Sequence, residues 1–230
     1  MKKALFLTLA LFITIANFAQ SQKQVRAGNH SYWALTSQPI TYFSNGNVQQ
    51  FTPKYSVQVY TTKHSYWTEP MKPIAFYPSG YVHWFYPKNN VQVYTPNHYF
   101  WAKAKYKIEL YESGYVKHFV PQHRTIQVFT ISRSFWALGG APEYYVEYYE
   151  NGAVKSFVPQ HNTIQVFTNN RSYWALGGNS NYRIEYYNNG NVKSFVVSSD
   201  TQLPVHGHFT WVKKHTRVVL DQSGNLISSH

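Results

Sequence analysis

The 230-residue chain contains no cysteine and has nine acidic residues against 21 lysines and arginines. Without cysteine it forms no disulfide scaffold, so its stability must come from burial and strand pairing. The scarcity of acids leaves a formal net charge of +12, and Glu69 is the sole acid before Glu109. This imbalance predicts a cationic surface that attracts anions, with the larger excess in the first half.

Long apolar runs are also lacking, except near the N-terminus. There Lys2 and Lys3 precede an apolar segment at residues 4–16, and the small residues Ala19 and Ser21 follow. This order is typical of a secretory signal peptide. No other run approaches the roughly 20 residues of a transmembrane helix, so no transmembrane span is predicted.

The predicted organisation is therefore a signal peptide at residues 1–21 and a single domain at residues 22–230. We expect a secreted or periplasmic location after cleavage. Loss of Lys2 and Lys3 leaves a net charge of +10 on the mature chain.

Aromatic residues are abundant, at 19% of the chain, and six tryptophans set the register of an internal repeat. Each of the six lies nine residues after a glutamine. A unit of about 34 to 38 residues is typical of solenoids, propellers and arrays. The tryptophans are Trp33, Trp67, Trp101, Trp136, Trp174 and Trp211, and their glutamines are Gln24, Gln58, Gln92, Gln127, Gln165 and Gln202. The six predicted units span residues 24–56, 57–90, 91–124, 125–162, 163–200 and 201–230.

A glycine follows each of these tryptophans, thirteen residues later in four units and sixteen residues later in the fourth and fifth. The three extra residues lie around Gly139-Gly140 and Gly177-Gly178. Insertions confined to one point of a repeat predict a loop on one face of the assembly.

Each unit is predicted to contain four short strands, the last two flanking an Asn-Gly or Ser-Gly dipeptide such as Asn151-Gly152. Asn-Gly between alternating apolar residues favours a type I′ hairpin turn with positive φ at both central positions. Such a turn pairs Tyr149 with Val154. In the second and fourth units the predicted strands are at residues 57–60, 65–67, 146–149 and 154–157.

Six equal units suggest that the chain closes into a ring. The chain is therefore predicted to be all-β and to form a six-bladed β-propeller of four-stranded blades, because a ring leaves only short, protected edges. The alternative is an open β-repeat array in which the end units act as caps.

Two hairpin segments resemble the Tyr-Tyr-x-Asn-Gly units of bacterial MORN-type repeat proteins: Tyr148-Tyr149-Glu150-Asn151-Gly152 and Tyr186-Tyr187-Asn188-Asn189-Gly190. The resemblance covers about ten residues per unit and does not extend to the Trp and Gln-Val strands, so it transfers no functional residue. As an architecture, six short Trp-bearing units also resemble the small-blade propeller lectins, an analogy of fold that by itself assigns no function.

A basic residue stands three positions before each repeated Trp, and an aromatic residue directly precedes five of the six. Aromatic faces stack on the C–H surfaces of sugars, and His or Arg side chains donate hydrogen bonds. Six equivalent pockets for sugars or anionic groups are therefore predicted, with a solvated turn flank as the alternative. The candidate ligand-binding residues are His30, Tyr32, His64, Tyr66, His98, Phe100, Arg133, Phe135, Arg171, Tyr173 and His208.

The repeated Trp and Gln are interpreted as structural. A large residue at a fixed register suits the packing between units, so the Trp is predicted to lie in the core, with a sugar-stacking platform as the alternative. The Gln is predicted to be a buried amide that bridges backbone groups of neighbouring strands.

Catalytic and metal-binding patterns are lacking. Glu109, Glu147 and Glu185 occupy one equivalent repeat position, whereas a glycosidase needs two carboxylates in one cleft. His206 and His208 share a strand face, but the sequence places no third or fourth ligand beside them. We therefore expect no enzyme activity, no catalytic residues, no metal and no cofactor.

Three hypotheses of function follow. The first is a non-enzymatic secreted protein that binds glycans multivalently. The second is a structural or assembly component of the bacterial envelope that binds envelope proteins or anionic surface polymers through its charge. The third, a carbohydrate-active enzyme, requires an acid such as Glu112, Glu143 or Glu150 in a deep pocket. Nucleic acid is not an expected partner, because the chain is predicted to be exported and has no known nucleic-acid module.

Overall fold

The computed structural model describes residues 21–230, and within them the fold is all-β, as the sequence predicts. The predicted signal peptide lies outside the described residues except for Ser21. Each of the six units contributes four short strands, so the predicted strand count is confirmed. Two single-turn 3-10 helices, Pro142–Tyr144 and Ser180–Tyr182, follow the inserted glycines of the fourth and fifth units.

The first two strands of each unit pair only with each other and form a separate antiparallel hairpin. We call these six hairpins the hairpin layer. Its strands are β1 (Gln22–Ala27), β2 (His30–Leu35), β5 (Gln58–Tyr60), β6 (Ser65–Trp67), β9 (Val91–Tyr94), β10 (Tyr99–Ala102), β13 (Thr125–Phe129), β14 (Ser134–Leu138), β17 (Thr163–Phe167), β18 (Ser172–Leu176), β21 (Thr201–Val205) and β22 (His208–Val212).

The last two strands of all six units join into one twelve-stranded antiparallel sheet, in the order β24-β23-β20-β19-β16-β15-β12-β11-β8-β7-β4-β3. These strands are β3 (Thr41–Tyr42), β4 (Val48–Phe51), β7 (Ile74–Phe76), β8 (Val82–Phe85), β11 (Ile108–Leu110), β12 (Val116–Phe119), β15 (Val146–Tyr148), β16 (Val154–Phe157), β19 (Ile184–Tyr186), β20 (Val192–Val196), β23 (Arg217–Leu220) and β24 (Leu226–Ser229).

The sheet runs from unit to unit and has two edges, β3 and β24. A propeller blade would keep the four strands of one unit in one sheet, whereas here they divide between two layers. Among residues 21–230 no closed ring or blade is shown, and the linear strand order is that of the open β-repeat array.

The turns of the sheet hairpins differ from the predicted type I′ turn, so that prediction is wrong. In the fourth unit the Tyr149 amide donates to the Ala153 carbonyl at 2.8 Å, and the Gly152 amide donates to the Tyr149 carbonyl at 2.9 Å. Gly152 has a φ of 87°, whereas Asn151 is not in the positive-φ region. This is a type I turn followed by a glycine bulge.

The glycine bulge shifts the strand register by one residue. Tyr148, and not Tyr149, pairs with Val154. Val154 is consequently buried with Val146, while Lys155 lies on the outer face of the sheet beside Glu147. The same pair of turn hydrogen bonds recurs in all six units, so all six hairpins have this geometry.

The core lies between the two layers, and neighbouring units share its aromatic clusters. Phe135 of the fourth hairpin lies 5.7 Å, centroid to centroid, from Phe157 of the sheet. Tyr186 of the fifth unit stacks 6.0 Å from Phe157 and closes the cluster. Large rings supply most of the buried apolar area in such a core. The equivalent sheet phenylalanines are all fully buried: Phe51, Phe85, Phe119, Phe157 and Phe195.

A tyrosine hydroxyl couples the sheet hairpin to the next one in the second, third, fourth and fifth units. The Tyr111 hydroxyl donates to the Tyr148 carbonyl at 2.9 Å, and the Tyr149 hydroxyl donates to the Tyr186 carbonyl at 2.8 Å. In the sixth unit Asp221 replaces this tyrosine, and its carboxylate accepts amide hydrogen bonds within its own turn. The other two bonds of the series are Tyr77–Leu110 and Tyr187–Leu220.

The inserted residues of the fourth and fifth units form loops, as the sequence predicts. The Gly140 amide donates to the Pro121 carbonyl of the preceding unit at 2.9 Å. A Cβ atom on Gly139 would lie 2.5 Å from the His123 carbonyl oxygen, so this close approach requires glycine.

Two adjacent tyrosines should respond oppositely to removal of the hydroxyl. Within residues 21–230 the buried Tyr148 hydroxyl has no hydrogen-bond partner, and burial raises its pKa well above the ordinary value. Tyr148→Phe is expected to raise the free energy of unfolding by about 1 kcal/mol, because it removes an unsatisfied buried group. Tyr149→Phe should lower it by about 1 kcal/mol, because the bond to Tyr186 is lost. Urea unfolding followed by tryptophan fluorescence measures both, and a destabilised Tyr148→Phe would contradict the argument.

Candidate binding face of the hairpin layer

The six repeated tryptophans lie on the outer surface of the hairpin layer. Their exposed fractions range from 40% at Trp101 to 66% at Trp211. The prediction that they form the core is therefore wrong. Alternate residues of a strand point to opposite faces, and the residue before each Trp occupies the inward position. Tyr32, Tyr66, Phe100 and Tyr173 are buried there, and Phe135 is partly buried.

The repeated glutamines are the cross-strand partners of these tryptophans, as in the pair Gln58 and Trp67. They are exposed or half-buried, so the prediction of a buried bridging amide is also wrong. The Gln58 side-chain amide donates to the Ser65 hydroxyl at 2.7 Å, and Gln165 does the same to Ser172 at 2.7 Å. The hairpins of the second, fourth and fifth units therefore present an indole beside an amide and a hydroxyl.

The basic residue three positions before each Trp contacts the following hairpin in the first five units. His64 stacks on Tyr94 with ring centroids 4.0 Å apart, and the Arg133 guanidinium lies 3.5 Å from the centroid of Phe167. Burial and then the charge of Lys63 lower the pKa of His64. The other three contacts are His30–Tyr60, His98–Phe129 and Arg171–Phe209. These residues join neighbouring hairpins, which is a role that the sequence analysis did not predict.

Three grooves lie between successive hairpins in the first half of the layer. The first has a volume of about 920 Å³ and is lined by His30 and Trp33. The second, of about 520 Å³, is lined by His64 and Trp101. The third, of about 350 Å³, is lined by His98 and the other side of Trp101. The grooves thus repeat with the first three units, and their volumes decrease from the first to the third.

The structure brings three of the predicted basic and aromatic pairs into these grooves. His30 lies with Tyr32 in the first, His64 with Tyr66 in the second and His98 with Phe100 in the third. The aromatic member is buried, so it lies at the base of the groove and the basic member at its wall. Arg133 lines a separate groove of about 480 Å³ beside residues 151–153. The remaining predicted residues line none of these grooves: Phe135, Arg171, Tyr173 and His208.

The two layers differ in charge. No acidic residue occurs in the twelve strands of the hairpin layer or in the turns that close its hairpins. The sheet and its turns carry six acids: Glu109, Glu112, Glu147, Glu150, Glu185 and Asp221. The other three, Glu69, Glu143 and Asp200, lie in connecting segments.

The outer face of the sheet carries a row of polar side chains. Cross-strand register places His118 between Glu109 and Glu147. Burial raises the pKa of the Glu109 carboxyl, but the hydrogen bond and charge of Lys117 more than offset this and leave that pKa lowered. The three equivalent glutamates form ion pairs with equivalent lysines: Lys117–Glu109 at 2.6 Å, Lys155–Glu147 at 4.0 Å and Lys193–Glu185 at 3.4 Å.

None of the grooves described above is lined by an acidic side chain. Among residues 21–230 no group of three or more His, Asp or Glu side chains is arranged to hold a metal ion. Within the same residues, no helix has the length and apolar character needed to cross a membrane.

Comparison with known proteins adds no relative: no family model, curated protein or solved structure matches the chain. The resemblance of the hairpin segments to MORN-type repeats therefore stays a prediction.

The regular register of the exposed tryptophans is what predicts a core position for them. The invariant nine-residue spacing from Gln to Trp has another cause, since the two residues are direct partners across a hairpin of constant length. Direct pairing places both side chains on one face. This spacing is the signal in the sequence that identifies the Trp and Gln as one surface feature.

Stability is expected to fall on mild acidification. Burial lowers the pKa of His83 and His118 below the ordinary 6.5, so the unfolded chain binds protons that the folded protein does not. The stability that these two histidines contribute is complete above about pH 6.5 and is lost as the pH falls through their lowered pKa values. The melting temperature should therefore drop between pH 7.5 and 5.5, and His118→Gln should reduce the drop. The exposed His208→Gln is the matched control, and an equal drop in all three proteins would refute this cause.

Proposed function

We propose that this chain is a non-enzymatic, secreted or periplasmic protein that binds glycans multivalently through its hairpin layer. The observation that carries the proposal is the row of six half-exposed tryptophans in one register, each paired with a glutamine. Large exposed aromatic side chains held at fixed positions are costly to leave in water and are typical of binding surfaces.

The chemistry of each hairpin suits a sugar. An indole face packs against the C–H face of a pyranose ring, and the exposed Trp67 offers such a face. The neighbouring Gln58 amide and Ser65 hydroxyl offer both donors and acceptors to sugar hydroxyl groups. Each contact is weak by itself, but six copies on one rigid chain give an avidity that exceeds the affinity of any one.

The grooves favour recognition of sugars in the first three units. Their walls carry His30, His64 and His98, whose ring faces are already stacked on the next hairpin. The imidazole edges therefore remain as the groups that bond a ligand, and the stacks hold the groove walls at fixed separation. Because these side chains are already held in place, less conformational entropy is lost when a ligand binds.

A glycan array probed with the mature protein at physiological and high salt tests this proposal. The variant is Trp67→Ala/Trp101→Ala. Both indoles are exposed in the protein, so their removal should leave the fold intact. We expect selective signals that survive high salt and that fall about tenfold or more in the double variant, because avidity multiplies the two losses.

The seventh tryptophan supplies the matched control. Trp84 lies half-buried on the outer face of the sheet, where Lys107 is 5.1 Å from its ring. Trp84→Ala should leave glycan binding unchanged once a melting curve confirms that it is folded. No selective signal, or signals on every polyanion that vanish with salt, would reject glycan binding and favour the envelope assembly hypothesis.

A further inference from the structure

The spacing of the units is set by the sheet. Every unit adds two strands to it, and strands lie about 4.8 Å apart, so equivalent residues advance by about 9.6 Å per unit. In the first five units the hairpin is joined to its own part of the sheet by a backbone bridge, as between Thr68 and Pro87 and between Ala102 and Pro121. We therefore expect the tryptophans of the hairpin layer to follow the same spacing.

This spacing is close to the length of one disaccharide in an extended chain of β-linked sugars. A linear polysaccharide lying along the layer would thus present an equivalent sugar to each successive Trp. A β-sheet also twists from strand to strand, so the row of tryptophans winds around the array. A single flexible chain can follow such a path, whereas the flat face of a crystalline polysaccharide cannot.

The charge of the layer indicates which sugars are involved. Its strands and turns carry the exposed Arg26 and the groove residue Lys63, together with the basic residues of the stacks, and no carboxylate. Lys63 lies 2.6 Å from the Tyr115 hydroxyl and remains at the rim of the second groove. A ligand that places an anion near each unit is complementary to this layer, whereas three of the six sheet turns carry an acid, Glu112, Glu150 or Asp221, that would repel it.

We infer that the ligand is a linear acidic polysaccharide with about one carboxylate per disaccharide, which binds with one disaccharide per unit along the hairpin layer. This inference rests on the proposed glycan-binding function and adds the length, charge and path of the chain. The indoles contact the sugar rings, and the basic residues pair with the uronic carboxylates.

Calorimetry with β-linked oligosaccharides in which uronic acid and neutral sugars alternate, in several linkages and from two to sixteen sugars long, tests the register. Affinity should rise with each added disaccharide and level off near twelve sugars, when about six units are occupied. An affinity that does not depend on length beyond one disaccharide would overturn the arrangement along the layer.

Carboxyl-reduced forms of the same oligosaccharides keep the sugar backbone and remove the charge. They should bind at least about tenfold more weakly than the acidic forms. Equal binding would overturn the acidic ligand while leaving glycan binding intact. Failure of both forms across all linkages would overturn the inference, whereas the proposed function is rejected only if the glycan array also shows no selective signal.

Variants of the basic residues separate local contacts from overall charge. Arg26→Gln/Lys63→Gln should weaken binding of the acidic oligosaccharides about fivefold and leave the reduced forms unaffected. Lys155→Gln/Lys193→Gln removes two equal charges from the sheet and is the matched control, expected to have little effect. Equal losses in both pairs, or equal affinity for single-stranded DNA of matched charge, would show a general polyanion attraction and overturn the inference.

Discussion

Aromatic packing between the two layers is the interaction on which the rest of the structure depends. A two-stranded hairpin is marginally stable alone, so each of the six hairpins needs the sheet beneath it. Contacts such as Phe135 on Phe157, and Tyr173 on Phe195 at 5.8 Å, supply that support. Because the residue before each Trp is committed to this contact, strand alternation turns the Trp outward. The exposed face is thus a direct consequence of how the core is filled.

The all-β class, the six units, the four strands in each and the inserted loops follow from periodicity and turn residues, and the sequence predicts them. The turn type does not follow, because Asn-Gly suits both a type I′ turn and a type I turn with a glycine bulge. Gly152 has a positive φ in either turn, so the two turns differ in the φ of Asn151, which depends on strand twist and packing. The observed register differs by one residue from the predicted one, and this difference places Val154 on the inner face and Lys155 on the outer face.

The candidate site was predicted in part. Basic and aromatic residues before the Trp do meet in grooves, as His64 and Tyr66 show, because both belong to one strand end. The alternation of side chains along a strand does not say which of two adjacent aromatic residues faces the core. Tyr66 and Trp67 are both large and apolar enough for that position. The stack of His64 on Tyr94 joins different units, and no local pattern specifies that contact. The same reason explains the uncertainty between ring and open array, because strand partners across units are not encoded locally.

The tyrosine that connects a sheet hairpin to its successor in the second to fifth units limits how such a chain can grow in evolution. Asp221 has no phenol to offer, and its carboxylate is occupied by its own turn. A unit appended after the sixth would lack this connection. A duplicated unit inserted between the fourth and fifth would meet Tyr149 on one side and provide its own equivalent on the other. Those two units share the Gly-Gly insertion, so the interior of the array is the place where gene duplication lengthens this protein at least cost.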